Sequence, residues 1–112
     1  MNIYISAPIT GRTEIDNDLV FEYAKTQLIY LGHKVISPWH ISKLLPTLTH
    51  EQYMEIDKAI IKNAADAVYF VSGWQHSAGC CEELEYCNKN KIKTFHSLDE
   101  LLAYEKEATN EN

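Results

Sequence analysis

Three glutamates crowd the segment WQHSAGCCEELEYC, residues 74–87. A helix started near Gly79 and stepped at about 100° per residue sorts them. Cys80, Leu84 and Cys87 fall on one narrow apolar arc, while Glu82, Glu85 and Lys89 gather opposite, with Glu85 and Lys89 spaced for an i,i+4 pair. Glu83 falls beside the apolar arc, in the first turn of that helix. The preceding helical stretch has a second such residue. Tyr53, Ile56, Ile60, Ile61 and Ala64 form its apolar face and Asp57 projects from the middle of it, with Glu55, Lys58 and Lys62 outside. A carboxyl in apolar surroundings holds its proton to higher pH than a solvated one, and an uncompensated buried carboxylate is costly. It is therefore neutralised, paired, or set on the wall of a cavity. Each residue alone fits a structural role equally well, bonded to loop backbone or to a subunit interface. Two of them on consecutive helices point to a shared cavity.

Other residue groups carry weaker chemistry. His76, Cys80, Cys81 and Cys87 match no common zinc spacing, and Cys80 and Cys81 point nearly a third of a turn apart. Small buried cysteines account for them better, so no metal is expected. Ser77, Ala78 and Gly79 at a helix N-terminus offer backbone amides to an anion; Ser77 as a plain N-cap explains the same residues. Trp39 and Trp74 stand in segments that follow strands, where an aromatic face could stack on a planar base or lie as a lid over the core.

The elements that must position these groups follow from periodicity. NIYIS is a first strand, closed by the Pro8 and Gly11 of APITG. From about Thr13 to Leu31 the spacing Val20, Ala24, Leu28, Leu31 is helical, with Gly32 as its stop. HKVIS is a second strand ended by Pro38, and the segment from Trp39 to Leu48 reads as a loop. Thr49 with Gln52 makes a capping box for a helix to about Ala65. DAVYFVS is the most apolar short run and fits a central strand buried on both faces. A helix from about Gly79 to Asn90, the short strand KIKTFH, and a last helix opened by Ser97 and Glu100 complete the chain.

This alternation predicts an α/β fold: three-layer, flavodoxin/Rossmann-like, with a mostly parallel four- to five-stranded sheet and helices on both faces. Residues 1–104 read as a single domain and 105–112 as a polar tail that frays. Ligands of such sheets bind at the carboxyl ends of the strands, which selects SAPITGR, SPWH and SGWQHSAG.

Composition narrows the function class. At 112 residues, 46% of them hydrophobic, the chain is sized for one core. A net charge of -6 with no basic run argues against a nucleic-acid partner. No apolar stretch reaches the roughly 20 residues of a membrane span, and MNIYISAPITG lacks the form of a signal peptide. Three cysteines, an odd number, do not make a disulfide framework. A cytoplasmic protein without a membrane partner is expected.

IYISAPITG followed by a helix, the segment from Asp57 through ADAVYFVSGW, and SAGCCEE together resemble the nucleoside 2-deoxyribosyltransferase superfamily, in particular its small bacterial and phage members and the related deoxynucleoside monophosphate N-glycosidases. The resemblance runs from Ile3 to about Phe95. In that family a first-strand tyrosine orients a catalytic glutamate six residues after a serine, in an S-x-G-x-x-x-E pattern. Here those positions are Tyr4, Ser77, Gly79 and Glu83. The family's aspartate on the preceding helix, which contacts the base or assists its departure, matches Asp57.

The resemblance implies cleavage or transfer at the N-glycosidic bond of a nucleoside or nucleoside 5′-monophosphate. Glu83 would be the nucleophile, forming a glycosyl-enzyme ester without any cofactor, and Asp57 would assist the leaving base. The first loop, Ala7, Pro8, Ile9, Gly11 and Arg12, would close over the sugar, with Arg12 available to a 5′-phosphate. Trp39, Trp74, Ser77 and Gly79 complete the expected substrate contacts. Relatives of this kind fill their pockets from a neighbouring subunit, which implies a homodimer or higher homo-oligomer. The competing reading is a non-catalytic module that holds a nucleotide in the same crevice; it would not need a carboxylate at position 83. A scaffold domain without a cavity is the third. A response regulator is disfavoured, because no acidic pair ends the first strand.

Overall fold

The structure, a computed structural model, describes residues 1–110. Four strands, β1 (Asn2–Ser6), β2 (Lys34–Ile36), β3 (Ala67–Phe70) and β4 (Lys93–Phe95), form one sheet in the order β2-β1-β3-β4. Every pairing is parallel: Ile3 lies opposite Val35 and Ala67, and Val68 opposite Thr94. Five helices connect and flank the strands, α1 (Glu14–Tyr30), α2 (Pro38–Leu44), α3 (His50–Ala64), α4 (Ala78–Lys89) and α5 (Leu98–Asn110). The result is a three-layer, flavodoxin-like α/β fold, as the alternation of elements predicts.

The two-residue side-chain period of a strand separates two cores. Ile3, Ile5 and Ala7 face one side and pack with Phe21, Ala24 and Leu28 of α1, Phe95, and Leu101 of α5. Tyr4 faces the other side with Val68, Phe70, Ile61 of α3, and Cys80 and Cys87 of α4. Burying each such large side chain contributes about 1.5–3 kcal/mol. The chain order reverses direction between β1 and β3, since β2 lies outside β1 while β4 lies outside β3. At that switch point the connections diverge and leave a crevice at the strand ends.

Local signals set the helix limits. Thr13 Oγ1 accepts from Asp16 N at 3.1 Å to start α1. Gly32, at φ 92°, adopts the left-handed conformation that ends it, with Gly32 N bonded to Ile29 O and His33 N to Leu28 O. The Thr49–Gln52 capping box forms in both directions. At the start of α5 Ser97 Oγ accepts from Glu100 N at 3.1 Å, while the Glu100 carboxylate reaches past Ser97 to accept from His96 N at 2.8 Å.

Three expectations are corrected. The segment expected as a loop from Trp39 contains α2, because Pro38, read as a strand stop, occupies the first helical turn, where its missing N–H has no role. The polar end beyond residue 104 is helical to Asn110, held partly by a bond between Glu105 and the His33 ring; residues 111–112 lie outside the described ones. On α3 the fully buried residues are Met54 and Ile61, while Ala64 is exposed. Among the described residues no helix is long and apolar enough to cross a membrane.

Candidate active site

The crevice at the switch point is a cavity of about 810 Å³, within the roughly 300–1,000 Å³ range of small-molecule sites. Its walls come from the loop after β1, from α2, from the first turns of α3 and from the start of α4. Glu83 and Asp57 both line it. The misplaced carboxylates therefore share one cavity.

Glu83 is 5% exposed, and two side chains of β1 hold it. The Tyr4 hydroxyl donates to Oε2, and Ser6 Oγ donates to Oε1 at 2.9 Å. Strand alternation explains the pair: residues 4 and 6 point to the same face, toward α4. Helix α4 begins at Ala78 rather than at Gly79, which places Glu83 in the second turn, deeper than the first-turn position expected for it. Each oxygen accepts one bond and retains lone-pair capacity toward the cavity.

Burial dominates the electrostatics. Desolvation pushes the Glu83 pKa up from 4.5 to about 7; the Tyr4 and Ser6 hydroxyls act against this, and the Asp57 charge adds to it. Asp57, half-buried, is raised from 3.8 to about 6, again by desolvation, with the Tyr4 hydroxyl opposing. Tyr4 is raised well above 10 by burial and by the two carboxylates, so it stays a hydrogen-bond donor. Cys87 is likewise pushed up to about 12 by burial and by Glu83. Both carboxyls thus titrate near neutrality, where most carboxyls are ionised.

The other expected residues divide. Ala7, Pro8, Ile9, Trp39, Ser77 and Gly79 line the cavity. Tyr4 is fully buried, off the cavity wall, and bonded to Glu83. The Trp39 indole donates to Asp18 at 2.6 Å, is stacked 6.5 Å from Phe21, and leaves part of itself on the wall. Gly11 and Arg12 are exposed and off the wall, because the turn at Gly11, φ 81°, carries the chain outward. Trp74 is also elsewhere. It sits 5.7 Å from Phe70 and 5.0 Å from His96, closing the core end beside a shallow groove with Cys81 and Leu84. Of the two roles open to Trp74, the lid is the one its place in the fold matches.

Ser77 Oγ accepts from Cys80 N at 3.2 Å and so caps α4. The first-turn amides of Ala78 and Gly79 have no partner within a helix, and both residues line the cavity. Among the described residues no group of three or more His, Cys, Asp or Glu has metal-holding geometry.

Sequence reasoning missed Ser6, although its two-residue spacing from Tyr4 was the available signal. It also missed Ser42 and Lys43, which α2 brings to the rim, and His50, Tyr53 and Met54 of α3. His50 bonds Glu82 at 3.0 Å across the rim, so Glu82, expected to be solvated, is half-buried and paired. Lys43, the cavity's single ammonium group, is turned to Asp18 at 2.9 Å and Glu14 at 3.6 Å.

The family described as "Domain of unknown function (DUF4406)" matches residues 1–96, and the chain belongs to it. No curated protein and no solved structure matches the chain at a significant level.

Proposed function

We propose that this DUF4406 protein cleaves or transfers at the N-glycosidic bond of a nucleoside or nucleoside 5′-monophosphate, with Glu83 as nucleophile. The observation that supports this reading best is Glu83 itself: a carboxylate almost out of solvent, fixed by Tyr4 and Ser6, on the wall of a ligand-sized cavity that also contains Asp57. A purely structural carboxylate gains nothing from facing an open cavity, and a binding module gains little from a raised pKa there. The resemblance of IYISAPITG and SAGCCEE to the nucleoside 2-deoxyribosyltransferase superfamily supports the same assignment.

A Glu83 oxygen attacks the anomeric carbon as the carbon–nitrogen bond breaks, and the bonding pair leaves on the base nitrogen. Asp57 supplies the proton that neutralises the departing base. Water, or the nitrogen of a second base, then attacks the anomeric carbon, loses its proton to Asp57 and frees the Glu83 carboxylate. The reactive form needs Glu83 ionised and Asp57 protonated. With ionisation near 7 and near 6, the pair holds about one proton between them at pH 6 to 7; in the empty cavity that proton sits mainly on Glu83, so the reactive arrangement is the minor one-proton form, which a bound base accepting a hydrogen bond from Asp57 would favour. Activity is expected to be bell-shaped around that window, with limbs that belong to the pair rather than to either residue.

The test is chromatographic detection of free base, from a panel of ribo- and deoxyribonucleosides and their 5′-monophosphates, with and without an acceptor base. Release by the wild type that is lost in Glu83→Ala supports the assignment, and dependence on acceptor separates transfer from hydrolysis. Absence of release from every substrate, with a nucleotide still raising the melting temperature of both proteins, selects the binding module instead.

A further inference from the structure

Helix α1 is apolar on two opposite faces. Asn17, Phe21, Ala24 and Leu28 are buried against the sheet. On the opposite side, at about 100° per residue, positions 15, 19, 22, 23, 26, 29 and 30 fall within one arc of roughly 120°. Five of these seven are large and apolar, and all five are exposed: Ile15 at 71%, Leu19 at 64%, Tyr23 at 69%, Ile29 at 50% and Tyr30 at 88%. A contiguous stripe of this kind marks an interaction surface, whereas scattered exposed apolar residues do not.

We infer that this stripe is a homodimer interface in which α1 packs antiparallel against α1 of a second copy about a two-fold axis near Glu22 and Tyr23. The stripe is self-complementary in that arrangement. Its two ridges are 15-19-23 and 22-26-30, each following the i,i+4 row of the helix surface. Antiparallel pairing sets Ile15 against the second Tyr30, and Leu19 against the second Thr26, so the large Leu19 meets the smallest residue of the stripe. Near the axis Tyr23 meets Glu22, whose carboxylate is already 3.8 Å from both Lys25 and His40 of its own chain. The helix dipoles oppose each other, as a two-fold axis across α1 requires.

The area is of the right order for a second copy. A standard interface takes about 800 Å² from each partner. Two tyrosines at up to about 200 Å² each, with Ile15, Leu19 and Ile29, supply most of that from one helix roughly 25 Å long. The cavity opens at the strand ends and its wall includes Glu14, in the first turn of α1. The dimer therefore holds that helix, and the loop before it, against a fixed neighbour.

Sedimentation equilibrium of the full chain tests the state, and cysteine pairing tests the geometry. The wild type is expected at twice the 12.9 kDa chain mass, with Leu19→Arg weakening dimerisation by about 30-fold or more while the far-ultraviolet circular dichroism is unchanged. In a Cys81→Ser background, which removes the exposed thiol, Glu22→Cys beside the axis is expected to cross-link to its own copy on mild oxidation. Tyr30→Cys is expected not to, because the two copies of residue 30 lie roughly 20 Å apart along the helices. A wild type that stays monomeric at about 100 μM, whether or not it adsorbs to lipid vesicles through the stripe, overturns the inference. A dimer indifferent to Leu19→Arg overturns it too, as does cross-linking of Tyr30→Cys as readily as Glu22→Cys.

Discussion

Glu83→Gln should make the protein more stable at alkaline pH. Burial raises the Glu83 pKa from 4.5 to about 7, and each unit corresponds to about 1.36 kcal/mol, so the ionised carboxylate destabilises the fold by about 3 kcal/mol relative to its protonated form. The sign follows from linkage: the folded protein holds this proton more tightly than the unfolded chain. The favourable contribution is complete below about pH 4.5, declines as pH rises, and is gone above about pH 7. Glutamine has nearly the same shape and an oxygen for the Tyr4 donor, but carries no charge to desolvate. At pH 8 the variant should therefore exceed the wild type by about 2–3 kcal/mol, or about 10 °C in Tm for a chain of this size. Near pH 4, where the wild-type group is already neutral, the two should agree to within about 1 kcal/mol. Urea denaturation at both pH values, at equal protein concentration, measures the difference. A stability gap that is the same at pH 4 and pH 8 would refute the reasoning, since it would mean that Glu83 is not desolvated in the fold. The same variant should release no base, so that a gain in stability accompanies loss of activity.

Tyr4→Phe removes a donor from a buried carboxylate, a bond worth about 1.5–3 kcal/mol, so base release should fall about 10- to 100-fold. Because the Tyr4 hydroxyl opposes the rise in the Glu83 pKa, the acid limb of the pH–rate profile should also move to higher pH; an unmoved limb would separate Tyr4 from Glu83. Asp57→Asn leaves Glu83 as the single titrating carboxyl of the pair, so the alkaline limb of the bell should disappear and one acid limb should remain. It should also slow base departure by about 10²- to 10⁴-fold, least for substrates with good leaving groups; equal losses across leaving groups would deny it the acid role. Glu105→Gln weakens the tie between the end of α5 and the His33 ring and should lower stability by about 1 kcal/mol at neutral pH, read from urea midpoints; no change would show that α5 is held by its apolar contacts, Leu98 and Leu101 on the core and Tyr104 on Phe95.

The carboxylates were legible in the sequence because a buried helix face tolerates few polar residues, and Glu83 and Asp57 each interrupt one. The parallel sheet with helices on both faces was legible because βα alternation demands parallel crossovers, whereas the order β2-β1-β3-β4 came from the structure. Helix α2 was hidden. Its seven residues are too few to show a period, Ser37 at its N-cap makes no side-chain capping bond, and Pro38 serves equally well as a strand stop. Losing that helix also lost the Ser42 and Lys43 side of the cavity. Ser6 was hidden for a different reason: a serine at a strand end is unremarkable until α4 brings a carboxylate to within 2.9 Å of it, and that proximity belongs to the packing of two elements 77 positions apart. The outer stripe of α1 escaped for a third reason. A periodicity reading looks for an apolar face set against a polar one, and α1 presents apolar residues on both. A helix in this state has more apolar surface than its own fold can bury, so the sequence of α1 carries information about a partner as well as about the core, and only the structure separates the two.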